Sequence, residues 1–264
     1  MLARPVTLDE AMCLIAFAWQ PDQACPLVVA ANRDEFHDRP AQPLDWWPDA
    51  PNVVAGRDLR AGGTWLGVAR GGRFAALTNY REMQQTEGDA PSRGALVADF
   101  LRGDMATLAY GEAIDLDRYA GFSLLLFDGD TFGFVGNRES RGVQRIEPGI
   151  HALSNGALNS PWPKVEQARG LLADALAAGG GTGALLDIMS HRDGAEDARL
   201  PDTGVGLELE RFLAPMFICG GRYGTRASTA LRWAASGQVD VAERRFGPDG
   251  QPQGESSICF QRQA

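Results

Sequence analysis

Cys13 follows Met12 and opens the apolar run "CLIAFAW". If translation starts at Met12, methionine removal in front of a small side chain leaves Cys13 as residue one. Such a residue carries a thiol and an α-amine on adjacent carbons. The amine titrates near ~8, so a useful fraction is free base at neutral pH. The thiolate is a strong nucleophile. One residue then supplies both nucleophile and base, and no catalytic histidine is needed. The other reading of Cys13 is a small buried hydrophobe at a strand head, the commonest fate of a free cysteine.

Further polar groups stand at element ends. "PLVVAANRD" closes in Asn32-Arg33-Asp34-Glu35, and "QPDQACP" before it is turn-rich. The two apolar runs therefore predict an antiparallel hairpin, in which the head of one strand meets the tail of its partner. That pairing brings the charges to the thiol. Arg33 beside a thiol favours thiolate, and Asp34 can hold an α-amine; a solvated turn is the alternative for this cluster. Asn79 in "ALTNYRE" and Asn155 in "HALSNGALNSPWPK" each end a strand, and Arg226 in "GGRYGTRASTAL" begins one. An asparagine can donate to a tetrahedral oxyanion, a role worth about 3 kcal/mol per donor. Each is also an ordinary turn residue. The glycines near Arg226 lack the Gly-Lys-Ser/Thr ending of a phosphate loop, and no GxGxxG precedes a helix.

The elements that position these residues are read as follows. "GTWLGVAR" and "RFAALTNYR" form a second hairpin around Gly71-Gly72. Ser92 is placed to cap a helix over "RGALVADFLRG", with Gly103 ending it. Strands follow at "GFSLLLFD", "TFGFVGN" and around Pro148-Gly149. A helix over 163–178 has Pro163 in its first turn and Val165, Ala168, Leu172 and Ala175 on one face. A shorter helix, "ALLDIMSHR", precedes a polar loop from Asp193 to about Gly206. The tail returns to strands at "PMFICGG", "GTRASTALRWA", "QVDVAERRF" and "ESSICFQRQ". The strands are apolar along their length, which predicts sheets covered on both faces. Helices cluster between groups of strands, which disfavours a doubly wound parallel sheet.

The whole chain bounds the function. Its 264 residues are 44% hydrophobic, and 25 Lys plus Arg against 34 Asp plus Glu give a net charge of −9. That acidity speaks against a nucleic-acid partner. No apolar run reaches the roughly 20 residues of a membrane span. The N-terminus reads poorly as a secretory signal, so a cytoplasmic location and four reduced thiols (Cys13, Cys25, Cys219, Cys259) are expected. His37, His151 and His191 are isolated and there is no CxxC, so neither metal nor cofactor is expected. Nothing in the sequence specifies an oligomer.

Taken in order, Met-Cys at a strand head, "ANRDEF", "GGTWLGV", "ALTNYRE", "LSNG…SPWPK" and "YGTRASTAL" resemble the NRDE-motif family, also called transport-and-Golgi-organization-2-like. The resemblance runs from about Met12 to the C-terminus. That family in turn resembles the N-terminal-nucleophile hydrolases of the choloylglycine and penicillin V acylase branch. The resemblance implies an α+β fold, a four-layer αββα sandwich of antiparallel sheets. It implies Cys13 as nucleophile, Arg33 and Asp34 poising its thiol and amine, Asn79 and Asn155 at the oxyanion and amine, and Arg226 as a late active-site arginine. The branch separates its arginine and aspartate by two residues, whereas here they adjoin, so Asn32 or Glu35 is the alternative for one role. Residues 1–12 are expected to be an extension, either a start placed too far upstream or a short propeptide, and 13–264 one domain.

The function implied is an amidohydrolase that processes a small amide through an acyl-enzyme on Cys13. Another reading is a non-catalytic carrier for an apolar ligand such as haem or lipid, in keeping with the haem or lipid handling proposed for the family. A third is an interaction protein using Trp46-Trp47 and Trp162, which are otherwise packing residues. Cleft loops are expected at 36–50, 80–92 and 193–212, with "DWWPDAPN" as a wall.

Overall fold

The hairpin expected at the N-terminus is β1 (Met12–Trp19) paired with β2 (Leu27–Phe36), antiparallel, with Cys13 opposite Arg33 and Met12 opposite Asp34. The structure is a computed structural model that describes residues 12–81 and 90–263. All of the expected extension but Met12 lies outside the described residues, as do positions 82–89 of one expected cleft loop. Every residue of β1 is buried, because successive side chains point to opposite faces and both faces are covered. Ile15 and Phe17 enter the core between two sheets, while Leu14, Ala16 and Ala18 pack under helices.

The chain continues through β3 (Ala41–Trp47), β4 (Ala50–Asp58), β5 (Leu66–Ala69), β6 (Arg73–Asn79), α1 (Gly94–Arg102) and α2 (Thr107–Ala113). Next come β7 (Phe122–Phe127), β8 (Phe132–Gly136), β9 (Gly142–Arg145), β10 (Gly149–Leu153), α3 (Pro163–Ala177), α4 (Thr182–Ile188) and α5 (Leu207–Leu213). The chain closes with β11 (Tyr223–Trp233), β12 (Gln238–Phe246) and β13 (Pro252–Gln261). One sheet has the order β10-β1-β2-β11-β12-β13, and the other runs β3 to β9 as a meander. All ladders between these strands are antiparallel.

The two sheets stack face to face. Phe17, Phe74, Phe132 and Leu125 fill the layer between them. Val165, Ala168 and Leu172 of α3 with Leu185 and Leu186 of α4 cover the outer face of the first sheet. Leu96, Val97, Phe100 and Leu101 of α1 cover the second. The fold is the four-layer αββα sandwich expected from the resemblance. Among the described residues no helix is long and apolar enough to cross a membrane.

Several local expectations need correction. "PMFICGG" forms no strand: Phe217 N–H donates to the His191 carbonyl and Ile218 N–H to Thr225 Oγ1, so its backbone leaves the ladder. It is apolar because Met216 and Ile218 are buried beneath the first sheet's cover. The residue at the α1 N-cap is Arg93, with no side-chain cap, so Ser92 does not serve. β3, β4, α2 and α5 had no counterpart in the pattern reading.

Candidate functional site

Strand alternation distributes the four letters of the charged cluster. Asn32 and Asp34 point to the helix side of the sheet, whereas Arg33 and Glu35 point the other way, onto a cavity. Asn32 Nδ2 donates to the carbonyls of Met189 and Met216, both at 2.8 Å, and its Oδ1 accepts from Ser228 Oγ at 2.6 Å. It ties the chain beyond α4 to the sheet. Arg33 Nη2 lies 3.3 Å from Glu35 Oε2 and 3.8 Å from Asp58 Oδ2.

The cavity has a volume of about 640 Å³. Cys13, Arg33, Asn79 and Arg226 all line it. Arg226 reaches it because the β2–β11 register shifts between Thr225 and Ala227, leaving Arg226 as an extra residue. Such a bulge re-aims a side chain. Its Nη1 donates to the carbonyls of Phe36 at 2.7 Å and Arg39 at 3.0 Å, which fixes the guanidinium at the rim. In all, seven arginines, among them Arg39, Arg60 and Arg245, face three carboxylates, Glu35, Asp58 and Glu243.

Asp34 and Asn155 stand behind this wall. Asn155 is fully buried; its Nδ2 donates to the Asn79 carbonyl at 2.9 Å and its Oδ1 accepts from Ser154 Oγ at 3.1 Å. Ser154 Oγ also donates to the Cys13 carbonyl at 2.9 Å. Asn155 therefore shapes the strand ends that present Cys13 and Asn79. Asp34 is fully buried; its Oδ1 accepts from Thr225 Oγ1 at 2.6 Å, and its Oδ2 has no hydrogen-bond partner among the described residues. The Met12 N–H donates to Tyr223 Oη at 2.8 Å.

Burial pushes the Cys13 thiol up to about 12, helped by the Asp34 carboxylate and opposed by Arg33 and the Asp34 backbone N–H. Burial also raises Asp34, against the pull of Lys164. With the peptide bond to Met12 intact, Cys13 is thus a neutral thiol at pH 7.

Pattern reading missed the charges under β1. Lys164 is buried on α3, and Arg81 Nη1 forms a 2.6 Å ion pair with Glu210 Oε2, both side chains almost wholly buried. A signal existed for Lys164: it stands at i, with Ala168 at i+4 and Leu172 at i+8, so a cation occupies the apolar stripe of its helix. Among the expected cleft walls, Arg39, Ala41, Gln42 and Pro43 line the cavity, as do Ala90, Pro91 and Ser92. The expected wall "DWWPDAPN" does not, and neither does 193–212. Trp47 is buried under Arg57 and Arg102, and Trp46 stacks on Arg70 at 3.7 Å and meets Phe260, so neither is free to form a wall or an exposed patch. Trp65 takes that place. The four cysteines are free thiols.

Two antiparallel sheets stacked between helix layers make an αββα sandwich of the kind seen in N-terminal-nucleophile hydrolases. The solved structure of a mutant conjugated bile acid hydrolase from Clostridium perfringens shares it, with a TM-score of 0.51, 7% identity, and coverage of 95% of this chain and 93% of that one. The model of the family described as "Transport and Golgi organisation 2" matches residues 12–248. The Transport and Golgi organization 2 homolog of Mus musculus is 34% identical over 265 residues, and that of Bos taurus 36%, each alignment covering 88% of this chain and 92% of the relative. The chain belongs to the Transport and Golgi organisation 2 family.

Proposed function

We propose that the chain is a cysteine amidohydrolase whose base is the α-amine of Cys13, released when the Met12–Cys13 peptide bond is cut. The amine takes the Sγ proton, and the sulfur attacks the amide carbonyl to form a C–S bond. Asn79 and Arg226 face the developing oxyanion from the cavity wall. The C–N bond breaks as the ammonium returns its proton to the leaving amine, giving a thioester. Water then attacks as the amine takes one of its protons, and the C–S bond breaks to release the acid as the ammonium returns that proton to the sulfur.

The observation that carries this reading is Asp34 Oδ2, which has no hydrogen-bond partner among the described residues and is buried opposite Met12 in the register, beside the position the amine would occupy. An unsatisfied buried carboxylate oxygen is costly, and an α-amine is a donor of the right kind. The arginine excess supports an amide with an anionic group as the substrate class. It also weighs against a carrier for a wholly apolar ligand, since Trp65 and Leu77 are the large apolar side chains of the lining.

The test compares a chain beginning at Cys13 with one retaining Met12, each treated with an electrophilic β-lactone and examined by intact mass. A single acyl adduct on Cys13 is expected only with the free amine. Equal labelling of both chains, or none of either, overturns the proposal.

A further inference from the structure

A chamber of charge lies directly beneath the strand that carries Cys13, on the side away from the cavity. Asp34 enters it from β2, Lys164 from α3, Arg81 from the segment after β6, Glu210 from α5 and Tyr223 from β11. Arg33, Glu35 and Cys13 itself act on the chamber from the cavity side. Arg81 and Glu210 form the buried ion pair already described, and Glu210 Oε1 also accepts from the Thr203 N–H at 3.0 Å. Among the described residues Lys164 Nζ donates once, to the Leu213 carbonyl at 3.1 Å, and has no ion pair. Arg81 Nε and Nη2 and Asp34 Oδ2 have no hydrogen-bond partner among the described residues. A buried ammonium that makes one neutral hydrogen bond and no ion pair within 4.0 Å is costly to keep.

We propose that Lys164 is a positioning residue for the nucleophile: its buried charge holds the released α-amine of Cys13 as the free base. The inference rests on the amidohydrolase reading for its functional consequence. The charge count gives the reason. Two carboxylates, Asp34 and Glu210, are cancelled by two cations, Lys164 and Arg81. A protonated α-amine would be an uncompensated fifth charge in a buried chamber, so the amine sheds its proton. Without the Lys164 charge, an ammonium would complete the balance and hold its proton to higher pH. Among the opposite charges that act on Asp34, Lys164 pulls hardest, ahead of Arg33 and Arg81. Burial in turn lowers the Lys164 ammonium, with Arg81 acting in the same direction.

The experiment uses chains beginning at Cys13: wild type, Lys164→Gln and Lys164→Arg. Glutamine keeps a donor for the Leu213 carbonyl and drops the charge; arginine keeps the charge. The α-amine is titrated directly by NMR on protein labelled with 15N at cysteine, and the acid limb of kcat/KM is followed on an amide that the wild type turns over. Lys164→Gln is expected to move both upward by about one pH unit or more, and Lys164→Arg to return them towards wild type. An unmoved amine titration in a folded Lys164→Gln chain overturns the inference and leaves Lys164 as a donor to Leu213 only. If wild type turns over no amide but the amine titration still moves, the inference stands and the amidohydrolase reading falls. Should Lys164→Gln fail to fold, Lys164→Met serves as the uncharged variant and is judged on the same titration.

Discussion

Adjacent residues in a strand cannot share a face, and this governs the site at the scale of single side chains. Arg33 and Asp34 adjoin, so one reaches the thiol from the cavity while the other reaches the chamber behind it. Asn32 and Glu35, the alternatives for one of these roles, are engaged in bonds of their own: Asn32 holds two carbonyls and Glu35 pairs with Arg33. The same burial that shelters the nucleophile disarms it while Met12 precedes it. A thiol at about 12 is ionised to only roughly one part in 10⁵ at pH 7. In the Met12-containing chain, brief iodoacetamide treatment at pH 7 should therefore alkylate the exposed Cys219 and Cys259 and leave Cys13 unmodified. Peptide mass spectrometry reads the outcome. Alkylation of Cys13 at the pace of the exposed pair would contradict the burial and charge assigned to it.

At the scale of elements, close backbone contacts set the cavity's shape. The turn before β5 meets the start of α1 so tightly that a Cβ on Gly63 would stand 2.6 Å from the Gly94 carbonyl carbon and oxygen. Backbone cannot yield as a side-chain tip can, so Gly63→Ala should displace the first turn of α1 and cost about 1–3 kcal/mol. Gly183 in α4 is the contrast, since nothing lies within 4 Å of its would-be Cβ. Gly183→Ala should stabilise by about 0.5–1 kcal/mol through helix propensity. Chemical denaturation of the two variants, with opposite shifts in midpoint, checks both. The same scale explains what the sequence made legible. β1 and β2 were readable because both faces of each are buried, which writes an unbroken apolar run. β3 was not, because it is an edge strand with Pro43 inside it and four exposed positions among its seven residues. The segment at 215–221 misled for the opposite reason: burial made it apolar without making it a strand. Lys164 and Arg81 lay inside quoted motifs, yet the partners that bury them, Leu213 and Glu210, sit on α5, an element distant in sequence that no local pattern announces.

At the scale of the molecule, charge is distributed against its own average. The chain carries −9 overall, yet its cavity gathers seven arginines against three carboxylates. Some of that positive charge is spent internally: Arg39 Nε lies 2.5 Å from Asp58 Oδ2, and Arg33 shares Glu35 and Asp58. Arg60 has no hydrogen bond or ion pair from its side chain among the described residues, and Arg226 bonds only carbonyls there. These two guanidiniums are the ones free to meet a ligand's charge. An acidic exterior repels anions at long range, whereas a positive cavity attracts them within a Debye length of about 8–10 Å at ordinary salt. Binding of an anionic ligand should then be governed by the cavity and weakened by screening. For a pair of amide substrates matched in size, one with a carboxylate and one neutral, KM of the anionic member should rise several-fold between ~0.05 and ~0.5 M NaCl, while KM of the neutral member stays nearly constant. Arg226→Gln should flatten the first dependence, because it removes one of the two available charges while leaving a side chain that can still donate to the Phe36 carbonyl. A salt response shared equally by both substrates would place the effect on the protein as a whole, and the cavity's arginines would then have no part in choosing the ligand.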